Sequence, residues 1–192
     1  MKNIIIVILG AVLLLSTSCK QEKTATAETP NTPQVKTVTP KKNGVRPAPS
    51  HADSPINWMT FEEAQEAMKK TPKKVFVDVY TYWCGPCKML DRNTFSNSQL
   101  AEYVNENYYA VKFNAQEEND IMFGGNKYSN PNYNPKKGQY RRNSTHQLSH
   151  AFGVRAFPTM VILNEDLQIM QAVRGYKTPQ QLKPILQQFA QL

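Results

Sequence analysis

The stretch that most narrows the possible folds is KVFVDVYTYWCGPCK, Lys74–Lys88. Its first half, Lys74–Tyr80, is rich in valine and aromatic residues, the pattern of a strand buried on both faces. Its second half sets Cys84 and Cys87 around Gly85-Pro86. Pro86 suits the first turn of a helix, where its missing N–H costs nothing. A strand that feeds a helix through a Cys-x-x-Cys turn implies a sheet with helical crossovers, the context that a redox reading of such a pair requires.

The flanking sequence supplies the remaining layers. Ile56–Met59 reads as a short first strand. Thr60-Phe61-Glu62-Glu63 has capping-box spacing, and Phe61, Ala64, Ala67 and Met68 then form a helical stripe that ends by Pro72. The helix carrying Cys87, Met89 and Leu90 is predicted to bend or break near Asn93–Asn97. Ser98–Asn107 continues as helix and Tyr108–Ala115 as strand. Thr145–Phe152 reads as helix. Thr159–Asn164 and Gln168–Gly175 read as two strands joined at Glu165-Asp166. Thr178-Pro179-Gln180-Gln181 opens a last helix, running to about Ala190. The order predicts an α/β domain, a mixed sheet covered by helices on both faces.

The N-terminus sets the compartment. Met1-Lys2, the apolar run Ile4–Leu15 and the small residues Ser16–Ser18 have the layout of a signal peptide over residues 1–18. The run is short for a membrane span, which needs about 20 residues. LLLSTSC resembles a bacterial lipoprotein signal, in which Cys19 becomes the lipidated first residue. Ser16 departs from that pattern, which usually has a large aliphatic residue there. Lys20 stands where an Asp would retain such a protein in the inner membrane, which favours the outer membrane. Residues 19–55, rich in Thr, Pro, Lys and Ala and without an aromatic, read as a flexible tether. The expected location is the periplasm, anchored through Cys19. Residues 56–192 are long enough for one domain.

The formal net charge is +8. Lys127, Lys136, Lys137, Arg141 and Arg142 fall within Gly124–His150, which has no acidic residue. The basicity is therefore local, and an exported chain offers no reason to expect a nucleic-acid partner. With Cys19 assigned to lipid, two of the three cysteines remain. A disulfide between Cys84 and Cys87 closes a tiny loop and constrains the unfolded chain little. The pair is poorly placed for stability and well placed for chemistry.

A helix N-terminus favours an anion. A free thiol titrates near 8.5 and falls towards 7 in such a position. Cys84, expected to be the more exposed cysteine, would be the nucleophile towards a substrate disulfide. Cys87, one turn on, would resolve the mixed disulfide. Asp78, a carboxylate within an apolar strand, is either buried beneath Cys87 as a proton acceptor or at a sheet edge facing water. Lys112 in the neighbouring strand could pair with it. Pro158, just before a strand, is on sequence grounds an ordinary strand-start proline.

At this point the chain resembles the thioredoxin family. WCGPCK (Trp83–Lys88) matches its active-site signature, Asp78 its buried acid and Lys112 the lysine beside that acid. Phe157-Pro158-Thr159 matches its loop with a cis proline, and Gly175 the glycine after its last strand. The resemblance implies a thioredoxin fold, a redox-active Cys84–Cys87 disulfide, a buried Asp78 and a cis Pro158. Trp83, Gly85, Pro86, Phe157 and Thr159 would support the site. CKMLDRNTFSNSQLAEYVNENYYAVKFNA is also similar to the C-terminal domain of the transmembrane thiol:disulfide interchange reductase, although that domain has another dipeptide between its cysteines.

The implied activity is protein-disulfide exchange, as a reductant, since Gly-Pro resembles the reducing members. The partners would be protein disulfides and a membrane electron donor, with no cofactor. An oxidase or isomerase is the alternative direction. A metal-binding module is another class, because His146 and His150 stand at i and i+4 and could join the cysteines. A substrate-binding module is a third. Residues 116–143 read as an irregular inserted loop holding Tyr128, Tyr133 and Tyr140. If it binds, it suits an acidic protein or an anionic envelope polymer.

Overall fold

The computed structural model describes residues 54–192. The predicted signal peptide, the lipidated Cys19 and nearly all of the tether lie outside the described residues. Ser54 and Pro55 belong with the domain. Ser54 Oγ accepts from Trp58 Nε1 at 3.1 Å, and the Pro55 carbonyl accepts from Asn105 Nδ2 at 2.9 Å.

The described chain runs β1 (Trp58–Met59), α1 (Phe61–Lys70), β2 (Lys74–Tyr80), α2 (Gly85–Leu90), α3 (Ser98–Asn107), β3 (Tyr108–Asn114), β4 (Ile121–Phe123), β5 (Asn126–Tyr128), α4 (Gln147–Ala151), β6 (Thr159–Leu163), β7 (Ile169–Arg174) and α5 (Pro179–Ala190). The main sheet has the order β1-β3-β2-β6-β7. β3 lies parallel to both β1 and β2, while β6 is antiparallel to β2 and β7.

Every residue of β2 is buried, as its apolar run requires at the centre of a covered sheet. Side chains alternate between faces. Val75, Val77 and Val79 join Phe61 of α1, Phe113 of β3, Leu148 of α4 and Phe152 at its C-cap in one core. Phe76 joins Leu90 of α2, Leu100 of α3, Met160 of β6 and Leu182 of α5 in the other. Leu100, Leu182 and Leu186 are fully buried there, each worth about 2 kcal/mol of apolar burial. Asp78 and Tyr80 share the parity of Phe76, so they face the α2 side. The β2–β3 register sets Asp78 opposite Lys112.

Both predicted capping boxes form, Thr60 with Glu63 and Thr178 with Gln181. The predicted break after α2 takes a specific form. The chain passes into a π-helical turn, Asp91–Phe95, and α3 restarts where the Asn97 side chain caps Leu100 N–H. The irregular loop predicted over 116–143 is in part wrong. Its first half is the antiparallel hairpin β4–β5, and Ile121 and Phe123 are buried in the α1-side core. Gly124 and Gly125 both have positive φ, as a two-residue hairpin turn requires. The predicted 145–152 helix is shorter, since His146 caps it.

Candidate active site

Cys84 and Cys87 are joined by a disulfide at the junction between β2 and α2. The Cys84 N–H donates to the Thr81 carbonyl at 3.1 Å, closing the turn after the strand. Cys84 is the N-cap of α2, and its Sγ accepts from the Cys87 N–H at 3.1 Å. The sulfur thus occupies the position that a capping oxygen takes in other helices. Pro86 sits in the first turn, where no N–H is needed.

Cys84 is the more exposed cysteine only marginally, and both are enclosed. Cys84 is 3% exposed and Cys87 2%. Both pack with Tyr80, against Tyr82, Trp83 and Phe157. The Trp83 and Phe157 rings meet edge to face at 5.8 Å, which closes the Cys84 side. Gly85 and Pro86 are exposed at the tip of the turn.

The second loop of the site is held from beneath. The Phe157–Pro158 peptide bond is cis. The Pro158 carbonyl accepts from the Gly175 N–H at 2.9 Å, and Thr159 Oγ1 donates to the Ala156 carbonyl at 2.7 Å. Gly175 has φ +76°, in the left-handed region that glycine enters without a Cβ penalty.

Under the disulfide-bearing helix lies a buried ion cluster. Lys112 Nζ donates to Asp78 Oδ2 at 2.6 Å, and the two side chains are 4% and 1% exposed. Lys112 also bonds Asp91 Oδ1, on the π-helical turn. The rings of Trp58, Tyr80 and Phe95 surround the ammonium at 4.8, 5.2 and 4.9 Å. Burial pushes the Asp78 carboxyl above its ordinary range, and the attraction of Lys112 only partly opposes this. Asp78 Oδ1 has no hydrogen-bond partner among the described residues. Asp91 was missed by the sequence reading. Its signal was its place four residues after Cys87, which puts both on one helix face.

Trp83 is tied to the segment after β5. Its Nε1 donates to Gln116 Oε1 at 2.7 Å, and Gln116 Nε2 donates to the Asn143 carbonyl. The Arg142 guanidinium lies 4.6 Å above the Trp83 ring. Gln116 and Asn143 were likewise not foreseen, because the tie spans 27 residues and leaves no local pattern.

His146 and His150 do not form a metal site with the cysteines. His146 is fully buried, its Nδ1 accepting from the Leu148 N–H and its Nε2 donating to the Asn119 carbonyl at 3.2 Å. Both ring nitrogens are therefore engaged, and burial pulls its pKa below the ordinary value. His150 faces solvent. Among the described residues no group of three or more His, Cys, Asp or Glu side chains is placed to hold a metal.

The family model of the thioredoxin-like domain matches residues 61–190, which takes in the whole of this arrangement. The chain belongs to the thioredoxin-like family. Its thioredoxin-like domain is 31% identical over 72 residues to Spermatogenesis-associated protein 20 of Rattus norvegicus, covering 37% of this chain and 9% of that protein. It is 30% identical over 73 residues to the Thiol:disulfide interchange protein DsbD of Campylobacter jejuni, covering 38% of this chain and 13% of that one. The chain thus spans only about a tenth of the length of these relatives. A solved thioredoxin from Thermus thermophilus shares the fold, with a TM-score of 0.50 at 12% identity over 70% of this chain and 86% of that one. With Cys84 and Cys87 bonded at the helix start of this fold, the thioredoxin-like domain is a thiol–disulfide oxidoreductase.

Proposed function

We propose that this chain is a membrane-anchored periplasmic oxidoreductase that reduces disulfides in exported proteins. The observation that carries the chemistry is the Cys84 Sγ at the N-cap, accepting the Cys87 N–H. The same N–H would stabilise a thiolate on Cys84 after reduction. Gly-Pro between the cysteines and the 73-residue similarity to a thiol:disulfide interchange protein support the direction and the substrate class. The signal-like N-terminus and Cys19 support export and lipid anchoring.

In this reading the Cys84 thiolate attacks one sulfur of a client disulfide. An S–S bond forms between Cys84 and the client, the client bond breaks, and its first thiolate leaves and takes a proton. The Cys87 thiol then loses its proton and attacks Cys84 Sγ. The second client thiolate leaves, and the Cys84–Cys87 disulfide is formed. Two electrons pass to the client. Asp78 serves as the proton acceptor for Cys87, through the oxygen that Lys112 does not hold. Lys112 positions Asp78. Pro158 and its neighbours present backbone to the client. A membrane dithiol donor then returns the pair to its reduced form.

The test is the reduction potential of the Cys84–Cys87 couple, on protein starting at Lys20, in dithiothreitol and glutathione buffers. A reductant should lie near −270 mV, on a scale that reaches about −120 mV for oxidants. A value at the upper end would refute the direction and favour an oxidase or isomerase. Anchoring is tested by fractionation. Cys19→Ala should move the protein out of the membrane pellet, and retention there would refute a lipid anchor.

A further inference from the structure

A second wall borders the disulfide at Cys87. A groove of about 770 Å³ runs along the Cys87 edge of the site. Tyr82, Pro86, Met89 and Tyr140 give it an apolar lining, and Lys88 and Arg92 stand on its rim. Met89 is 42% exposed and Tyr140 60%, unusual for side chains of that size. Tyr140 comes from the segment after β5 and reaches across to α2. Its ring meets Tyr82 edge to face at 5.9 Å, and Lys88 Nζ lies 5.5 Å from its centroid.

This wall is built. Asn143 Oδ1 accepts from the Asn134 N–H and its Nδ2 donates to the Asn134 carbonyl, both at 2.9 Å, so the segment is cross-tied through its base. The Gln116, Asn143 and Arg142 contacts then fix that base to Trp83. The same tie that holds the active-site tryptophan therefore sets the position of Tyr140.

The exposed rim of the groove is basic. The groove's carboxylate, Asp91, is engaged by Lys112. Lys88 and Arg92 are exposed and enter no ion pair among the described residues. An apolar floor beneath unpaired cations complements an extended segment that carries an aliphatic or aromatic side chain between carboxylates.

We propose that this groove selects the clients of the site, favouring protein segments with acidic residues beside the cystine and an apolar residue between them. The proposal rests on the oxidoreductase reading above and adds its specificity.

The experiment uses the full chain, reduced and freed of reductant, with two cystine peptides that differ only in a flank of Glu-Leu-Glu or Lys-Leu-Lys. The single-turnover rate constant should favour the acidic peptide by about tenfold, since charge complementarity acts on encounter. The preference should fall towards one at about 0.5 M salt, where the screening length is a few ångströms. In the K88E/R92E double variant the preference should invert, which misfolding could not produce. Equal rates in the unsubstituted chain would overturn the proposal alone, as would a preference unchanged in K88E/R92E. Equal rates with retention on a heparin column would assign the basic rim to anionic polymers, and overturn it too. Reduction of neither peptide would refute the oxidoreductase reading, and the groove's role with it.

Discussion

Lys112→Met isolates the buried ion cluster. Methionine keeps most of the stem and removes the charge. The variant leaves Asp78, 1% exposed, without the ammonium 2.6 Å from its Oδ2. Removing one partner of a buried pair costs about 3–5 kcal/mol. Two features bring the value towards the lower limit. Asp91 is 32% exposed, so its loss amounts to about 1 kcal/mol or less. Asp78 is already pushed up by burial, and without Lys112 it rises further and can escape as the neutral acid. The expected loss at neutral pH is about 3 kcal/mol. With a urea m-value of about 2 kcal/mol per molar, the midpoint should drop by about 1.5 M.

The pH dependence follows from the same shift. The folded pKa of Asp78 lies above its unfolded value of about 3.9, so the folded state holds more protons within that window. Stability falls as pH rises through it, and the window is wider in Lys112→Met. The deficit of the variant should therefore grow as pH rises and shrink in acid. Lys112→Met/Asp78→Asn should recover most of the loss, because no carboxylate is then stranded beneath the helix. Urea melts of the unsubstituted protein, Lys112→Met, Asp78→Asn and the double variant would measure the coupling. A single-variant loss below about 1 kcal/mol, or no rescue by Asp78→Asn, would refute the reasoning.

Three further variants can be checked in the same way. Asp78→Asn alone should raise stability by about 1 kcal/mol at alkaline pH, where ionising the buried carboxyl is most costly, with the gain shrinking in acid. It should also slow the resolving step by about a hundredfold, read by quenching the mixed disulfide. His146 is held neutral by burial, so its stabilisation is full above its unfolded pKa of about 6.5 and is lost as pH falls through the lower folded pKa. His146→Asn keeps a cap acceptor for Leu148 and should flatten the fall in urea midpoint between about pH 7 and pH 5. Gly175→Ala should cost about 1–2 kcal/mol through backbone strain alone, because a Cβ there meets no atom within 4 Å. Its melting temperature should fall by about 4 °C, and no change would show that the +76° φ is not needed.

Much of the site was legible because its information is local. The strand run, the Cys-x-x-Cys turn with Pro86 and the two capping boxes each act within a few residues. The β4–β5 hairpin was missed although Gly124-Gly125 between β-forming residues is a hairpin signal. The surrounding Asn, Pro and Lys residues masked it, and only the burial of Ile121 and Phe123 against Phe61 and Phe152 gives those short strands a reason to hold. His146 and His150 misled in the opposite sense. Helical spacing brings two side chains to one face only when both lie within the helix, and His146 is its cap.

The sequence by itself determined the β2–α2 junction, the cysteine pair at the helix start and the candidates Asp78, Lys112 and Pro158, because short-range sterics and patterning decide them. Tertiary structure alone decided that Lys112 serves two carboxylates, that both cysteines are enclosed, and that Tyr140 and Arg142 close on the active-site face. Those facts depend on how separate elements pack, and packing joins residues whose distance along the chain carries no pattern to read.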